Sequence, residues 1–444
     1  MKERIQLSDH FTYKRLLRFV MPSVIMMIFT SIYGVVDGLF VSNFAGKTPF
    51  AAINFVFPLI IILGAFGFMI GTGGTAIVAK TFGLGDKKRA NEYFSFLIYT
   101  TVVFGIALSV LGILLARPVS RMLGATGEML ECCVTYARIV LIGMPFFMLQ
   151  NIFQSFFNTA EKPKLGLLIT VIAGVTNIVL DALLVAVFNL GLVGAAVATA
   201  ASQLVGGTIP IIYFASKNSS TLRLGKTGVH LKMLGRTCIN GSSELMSNIS
   251  ASVVTILYNS QLMRFAGENG VAAYGAIMYV AFIFIAIFIG FVIASSPIVS
   301  YHFGAGNTPE LKNLYKKSIA IVITVGAAMT VTALLLSAPL TKLFVGYDGE
   351  LYRMTLRGFI IYSFSYMLSG LNIFGSSFFT ALNNGVVSAV ISFMRTLVFQ
   401  CAAVLILPHF FELDGVWFSV IMVETLSIAV TGTFLLANRK KYQY

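Results

Sequence analysis

Apolar residues run along the chain in twelve long stretches, near 16–42, 52–82, 94–116, 132–158, 165–188, 192–215, 238–264, 273–302, 316–338, 355–381, 386–407 and 415–437. A helix needs about 20 mostly apolar residues to cross a bilayer. The pattern therefore predicts an all-α membrane protein with twelve spans. Polar residues punctuate them unevenly. Asn189 to Gly191 and Leu382 to Gly385 leave room only for tight turns. The longest polar gap follows the sixth stretch and carries Lys217, Arg223, Lys226, Lys232 and Arg236 among Ser, Thr and Gly, the composition of a linker.

The pattern repeats at an offset of 221 residues. Phe82-Gly83-Leu84-Gly85-Asp86 faces Phe303-Gly304-Ala305-Gly306-Asn307, and Asn151-Ile152-Phe153 faces Asn372-Ile373-Phe374. Phe157 faces Phe378, Thr159-Ala160 faces Thr380-Ala381, and Gly194 faces Gly415. Matching loops at a constant offset are not what chance similarity of apolar helices gives. Six spans per half is an even number, so both halves enter the membrane from the same side, as a parallel repeat about an axis along the membrane normal. The expected organisation is two pseudo-symmetric six-helix bundles, residues 1–215 and 238–444, joined by a cytoplasmic linker over 216–237.

Composition agrees. Of 444 residues, 57% are hydrophobic and 11% charged, against roughly 25% charged in soluble domains. Four cysteines make no disulfide scaffold and read as structural. The net charge of +14 is an orientation signal. With the N-terminus inside, 22 of the 31 Lys and Arg fall on the inner side, 7 on the outer, and Arg138 and Arg395 within spans. Bases gather in cytoplasmic loops, so both termini are expected in the cytoplasm, and no nucleic-acid partner is needed. The N-terminus shows no cleavable signal and leads straight into an anchoring span.

Nothing in the sequence builds an ATP engine. Gly46-Lys47-Thr48 and Gly225-Lys226-Thr227 lack the upstream Gly of a P-loop, with Val41 and Ser220 in its place. Phe82-Gly83-Leu84-Gly85 carries no dinucleotide signal. His10, His230, His302 and His409 are scattered, without metal spacing. An ion gradient is left as the energy source.

Four acids fall within spans: Asp37, Asp181, Glu244 and Glu424. Intramembrane acids are costly and face a cavity or a partner. Asp37 and Asp181 lie late in outward-running helices, at similar depth. Asn177 shares the Asp181 face one turn earlier, Thr199 is in the outer half of the sixth span, and Gln203 continues its face. Two carboxylates, an amide and a hydroxyl at one depth offer oxygen ligands to a hard cation. Two neighbouring carboxylates also resist joint ionisation, so the same cluster can carry a proton. A set of polar residues that only fixes packing is the structural alternative. At the same offset Asp37 becomes Tyr258, Asn177 becomes Val398 and Asp181 becomes Ala402, so only one half holds this chemistry. Glu424 and Arg395 read as a structural ion pair. Glu244, nearer the cytoplasm, is placed to meet an incoming cationic substrate. Asn151, Gln154 and Asn158 form a stripe that either lines a cavity or binds adjacent helices. Tyr33, one turn before Asp37, is positioned to stack on a cation. Pro22 is expected to kink the first helix. The Gly34–Gly38 and Gly67–Gly71 spacings read as close helix contacts.

Two six-helix halves, Pro22 and Asp37 on the first helix, Asn177 and Asp181 on the fifth, and the repeated Phe-Gly-x-Gly turns resemble the multidrug and toxic-compound extrusion (MATE) family, its bacterial DinF-like branch in particular. The resemblance covers essentially the whole chain. It implies a multi-pass protein of the bacterial cell membrane that exports organic cations in exchange for Na⁺ or H⁺, with no cofactor beyond the coupling ion, and working as a monomer. It implies that Asp37, Asn177, Asp181 and Thr199 form the cation or proton site, holding Na⁺ if sodium is the coupling ion. Tyr33, Asn151, Gln154 and Gln203 would border the substrate cavity. Another branch places acids on the seventh and tenth helices; Glu244 matches the first, but the tenth span has no Asp or Glu. Two rivals are a flippase for lipid-linked sugars and an intramembrane enzyme. The first calls for a cationic cavity, and the second for a nucleophile–base cluster that the scattered histidines do not supply.

Overall fold

The computed structural model describes residues 5–444, so Lys2 and Arg4 of the basic count lie outside the described residues, as does the side chain of Lys47. Among the described residues there are helices and turns and no strand. Helix α1 is Tyr13–Phe40, carried on by a π-helical turn at Val41–Ala45. It is followed by α2 (Lys47–Gly83) and α3 (Lys87–Met122). Helix α4 is Gly127–Ile142 and Met144–Thr159, bent by 56° between Gly143 and Pro145. Helix α5 is Pro163–Asp181 with a π-helical turn at Ala182–Val187, and α6 is Gly191–Ala215.

The next helical segment, Leu231–Gly304, has 74 residues. One straight helix of that length would measure about 110 Å. It breaks at Gly267, whose φ of 58° and ψ of −149° suit glycine alone. The two arms, α7 (231–266) and α8 (268–304), both lie on α2: Gly241 packs on Met69 and Gly73, and Gly304 packs on Lys80. Positions 63 residues apart can meet neighbouring turns of one helix only if the chain reverses at Gly267. Helices α9 (Thr308–Val345) and α10 (Gly349–Ser363 and Ser365–Ala381, bent by 45°) follow. Helix α11 is Gly385–Phe393, a π-helical turn Met394–Phe399 and Gln400–Ile406. Helix α12 is Pro408–Tyr442, with a break at Glu412 near its start. Counted in this way, the described residues hold twelve spans, in two bundles of six.

Several helices overrun their apolar stretches. Helix α3 starts at Lys87 because Asp86 Oδ1 accepts from the Arg89 N–H at 3.0 Å, and α9 starts at Thr308 because Asn307 Oδ1 accepts from the Glu310 N–H at 3.3 Å. These N-caps, 221 residues apart, add polar turns that hydropathy does not register. Helix α1 continues through Pro22 without interruption. Ser23 and Val24, just beyond, pack against Gly290 of α8.

The bundles meet at the end where both chain termini lie. A Cβ on Gly83 would strike the Tyr301 and Ala305 backbone, and one on Gly304 would strike the Lys80 backbone. Gly83 and Gly304, like Lys80 and Tyr301, are 221 residues apart, so this contact is its own pseudo-two-fold mate. Two straps reinforce it. Residues 5–11 precede α1 yet lie on α9: Glu310 accepts from the Phe11 N–H at 2.9 Å, from Asn313 at 2.7 Å, and pairs with His10 at 2.6 Å, while Lys317 donates to the Phe11 carbonyl at 2.7 Å. Leu7 and Phe11 are buried there, and the Leu7 N–H reaches Glu161 Oε1 of the first bundle at 2.9 Å. The linker precedes α7 yet lies on α3, through Arg223 N–H to Asn91 Oδ1 at 2.7 Å and Gly225 N–H to Ser95 Oγ at 3.0 Å. Hydrogen bonds to a charged group contribute about 1.5–3 kcal/mol. Glu310→Ala is therefore expected to cost about 2 kcal/mol and to expose residues 5–11 to proteolysis. Unchanged melting and cleavage would show that the N-terminal strap holds nothing.

Candidate cation site

Helix packing in the first bundle brings the acids together. Gly174 of α5 receives the rings of Phe29 and Tyr33 from α1; a Cβ there would lie 3.1 Å from Tyr33 Cδ1 and closer to Phe29. Past this close approach the carboxyl of Asp37 on α1 meets that of Asp181 on α5. Asp181 is 0% exposed and Asn177, one turn earlier on the same face, 2%. The side chain of Tyr136, from the first arm of α4, faces both carboxyls and Thr199 of α6. Gln203, one turn further along α6, is buried with Oε1 turned toward Gly143 at the α4 bend.

These side chains lack hydrogen-bond donors. Asp37 Oδ1, Asn177 Oδ1, both Asp181 oxygens, Thr199 Oγ1 and Gln203 Oε1 are buried with no partner. An unmade hydrogen bond costs about 1–3 kcal/mol for each buried group, and more for a charged one. Two carboxyls in contact with no donor between them cannot both be ionised in a low-dielectric interior unless a cation joins them. Six unpartnered oxygens from three helices thus form a site short of positive charge. A proton or a hard cation would supply it, and the oxygen-only donor set of Asp37, Asn177, Asp181 and Thr199 would suit an alkali cation. Both acids border π-helical turns: Val41–Ala45 begins four residues after Asp37, and Ala182–Val187 follows Asp181 directly. Such turns occur mostly at functional sites.

The other sequence-predicted residues scatter. The ring of Tyr33 rests on Gly174 and on Phe29, at 5.9 Å between centroids, acting as a wedge between α1 and α5. The stripe on α4 divides. Asn158 accepts from Ser23 of α1 at 2.8 Å and so ties helices together. Gln154, with Gln150, Thr170 and Gly206, lines a cavity of about 10 Å³, room for one water. Asn151 is buried with its Nδ2 unpartnered. Glu244 is not brought to the cluster. By the 221-residue offset Asp37 matches Tyr258, so Glu244 lies fourteen residues, roughly 21 Å, nearer the closed end, one turn past the Gly241 contact with α2. No ion pair is seen for it among the described residues. Glu424 and Arg395 do pair, at 2.6 Å. Tyr136 is not among the residues the sequence pointed to; the packing of the first arm of α4 on α6 puts it here.

Two pseudo-symmetric six-helix bundles closed at one end, with an electron-rich cluster in just one of them, define a membrane transporter fold. The chain belongs to the MATE family: the MatE family model matches residues 22–183 and 245–404, one segment in each bundle. It is 24% identical over 430 residues to the multidrug export protein MepA of Staphylococcus saprophyticus subsp. saprophyticus, covering 96% of this chain and 94% of that one. The fold matches the crystal structure of MATE in complex with MaL6 with a TM-score of 0.94 at 22% identity, over 100% of both chains. It matches the outward-facing conformation of a multidrug resistance MATE family transporter of the MOP superfamily with a TM-score of 0.93 at 22% identity, over 100% of this chain and 99% of that one.

Proposed function

We propose that this protein is a multidrug exporter that moves organic cations out of a bacterial cell in exchange for an inward-moving Na⁺ or H⁺. The observation that carries this reading is the cluster of unpartnered oxygens around Asp37 and Asp181. When ionised, the pair attracts a lipophilic cation strongly, because the surroundings are low in dielectric. A coupling cation arriving from outside neutralises the same pair and removes the attraction, and the drug leaves. Exchange rather than leak follows if the two cations compete for one charge.

The bundles are the moving bodies, residues 1–215 and 238–444, with 216–237 as the cytoplasmic linker. The closed end carries the termini and, by the distribution of bases, faces the cytoplasm. The state described here is then outward-facing. Inward opening requires the Gly83–Gly304 contact to part and the two straps to peel. A flippase of anionic lipid-linked sugars is disfavoured by the sign of the site: Arg395, the base in the eleventh span, is already neutralised by Glu424.

The test is dye export from vesicles holding the purified protein, under separately imposed Na⁺ and H⁺ gradients. Export of a cationic dye such as ethidium under one of them is expected. Export under neither, with binding of a lipid pyrophosphate instead, would overturn the reading.

A further inference from the structure

The second bundle carries a polar core beside the positions that match the first bundle's cation site, where Asn177, Asp181 and Thr199 are replaced by Val398, Ala402 and Val420. The 221-residue offset maps Asp37 onto Tyr258, Asn151 onto Asn372, Gln203 onto Glu424 and Gly174 onto Arg395. In the first bundle the oxygens lack donors. In the second they are satisfied. Arg395 donates to Glu424 through Nε, at 3.1 and 3.0 Å, and through Nη2 at 2.6 Å. Asn372 Nδ2 donates to the same carboxylate at 2.7 Å, and Thr431 donates to Asn372 Oδ1 at 3.0 Å. Tyr258 shares a 2.6 Å hydrogen bond with Ser419 and accepts another of 2.6 Å from Gln400. Glu424 is 7% exposed at its side chain and Arg395 19%. Arg395 sits in a π-helical turn, Met394–Phe399, as the first-bundle acids border theirs.

From this we infer that Arg395 is a tethered cation in the second bundle's polar core, beside the counterpart of the first-bundle site, and that removing its charge opens a latent cation-binding site at Glu424. The guanidinium keeps its charge at every working pH. It therefore cannot exchange as a free ion does, and it keeps the Glu424 side chain paired. One bundle of two similar ones is left to exchange cations, which sets the number of coupling ions by the first bundle alone. Where the first bundle has Gly174, filled over by Phe29 and Tyr33, the second has the arm that delivers the charge. Among the described residues, the titratable groups facing Glu424 are Arg395, Tyr258 and Tyr362.

This inference rests on the first-bundle site proposed above, and the experiment separates the two. Asp37→Asn/Asp181→Asn protein in nanodiscs silences the first bundle. Binding of ²²Na⁺ and uptake of protons are measured with and without Arg395→Met, alongside fluorescence of Trp417, the single tryptophan, which lies on α12 seven residues before Glu424. Addition of Arg395→Met is expected to add one bound Na⁺ or proton per molecule with a change in Trp417 emission, and Glu424→Gln is expected to abolish both. If Arg395→Met does not fold, Arg395→Gln keeps a donor for Glu424 without the charge and is read in the same way. A folded Arg395 variant that gains no cation would overturn the inference. So would a cation bound in the Arg395-intact background and lost with Glu424→Gln. If wild type and the Asp37→Asn/Asp181→Asn protein bind cations alike, the first-bundle reading fails while the comparison at Arg395 still decides this one.

Discussion

Asp181→Asn is expected to cut export about tenfold or more and to raise stability. Asp181 is fully buried, with both oxygens unpartnered and the Asp37 carboxyl against it. An amide of the same shape removes one charge from the pair and offers an N–H to Asp37. Relief of one unmade hydrogen bond is worth about 1–3 kcal/mol, so the melting temperature is expected to rise. Export of a cationic dye is expected to fall by about tenfold or more, the kinetic equivalent of at least ~1.4 kcal/mol, because the variant keeps only half the charge for which dye and ion compete. Asp37→Asn should act in the same direction. Asp37 is only half-buried, so its stability gain should be smaller. Functional sites that hold strain trade stability for activity. The pairing of a higher melting temperature with lost export separates this site from a merely structural polar core, in which Asp181→Asn would lower stability.

The second large effect is expected at the closed end. Gly83→Leu places a side chain into the Tyr301 and Ala305 backbone, and Gly304→Leu places one into the Lys80 backbone. Backbone on both sides cannot yield as a side-chain tip does, so the helices must separate. Each variant is expected to cut export by about tenfold and to increase labelling of cysteines introduced beside the contact. The two should behave alike, since the contact is pseudo-symmetric. The cost should fall on the state closed at this end alone: stability is read from melting in detergent, and a folded, monodisperse protein with an open termini-bearing end is the expected outcome. Unchanged labelling with unchanged export would show that this contact does not gate the cycle.

Much of this was legible in the sequence because a bilayer imposes simple rules. Apolar length gave twelve spans, and the 221-residue offset gave two bundles; both follow from backbone hydrogen bonding and hydropathy. The meeting of Asp37 with Asp181 was legible from depth, since both lie late in helices running the same way. The pairing of Glu424 with Arg395 was legible for the same reason. Contacts set by rotation about the helix axis were not. Tyr33 and Asn158 turn toward neighbouring helices, and Tyr136 turns toward the acids; depth says nothing about azimuth. The reversal at Gly267 replaced an expected loop, because one glycine with positive φ does the work of several polar residues. The crossed straps involve side-chain partners some 300 residues apart, such as His10 with Glu310, and no local pattern encodes them.

The most direct test of shared occupancy is dye affinity measured against cation. Binding of a fluorescent lipophilic cation to the purified protein is titrated across Na⁺ concentrations at fixed pH, and across pH without Na⁺. Competition at Asp37 and Asp181 requires that one of these cations weaken dye binding in proportion to its own occupancy, and that the dependence disappear in Asp37→Asn/Asp181→Asn protein. Dye affinity indifferent to both cations, or equally dependent on them in the double variant, would contradict it.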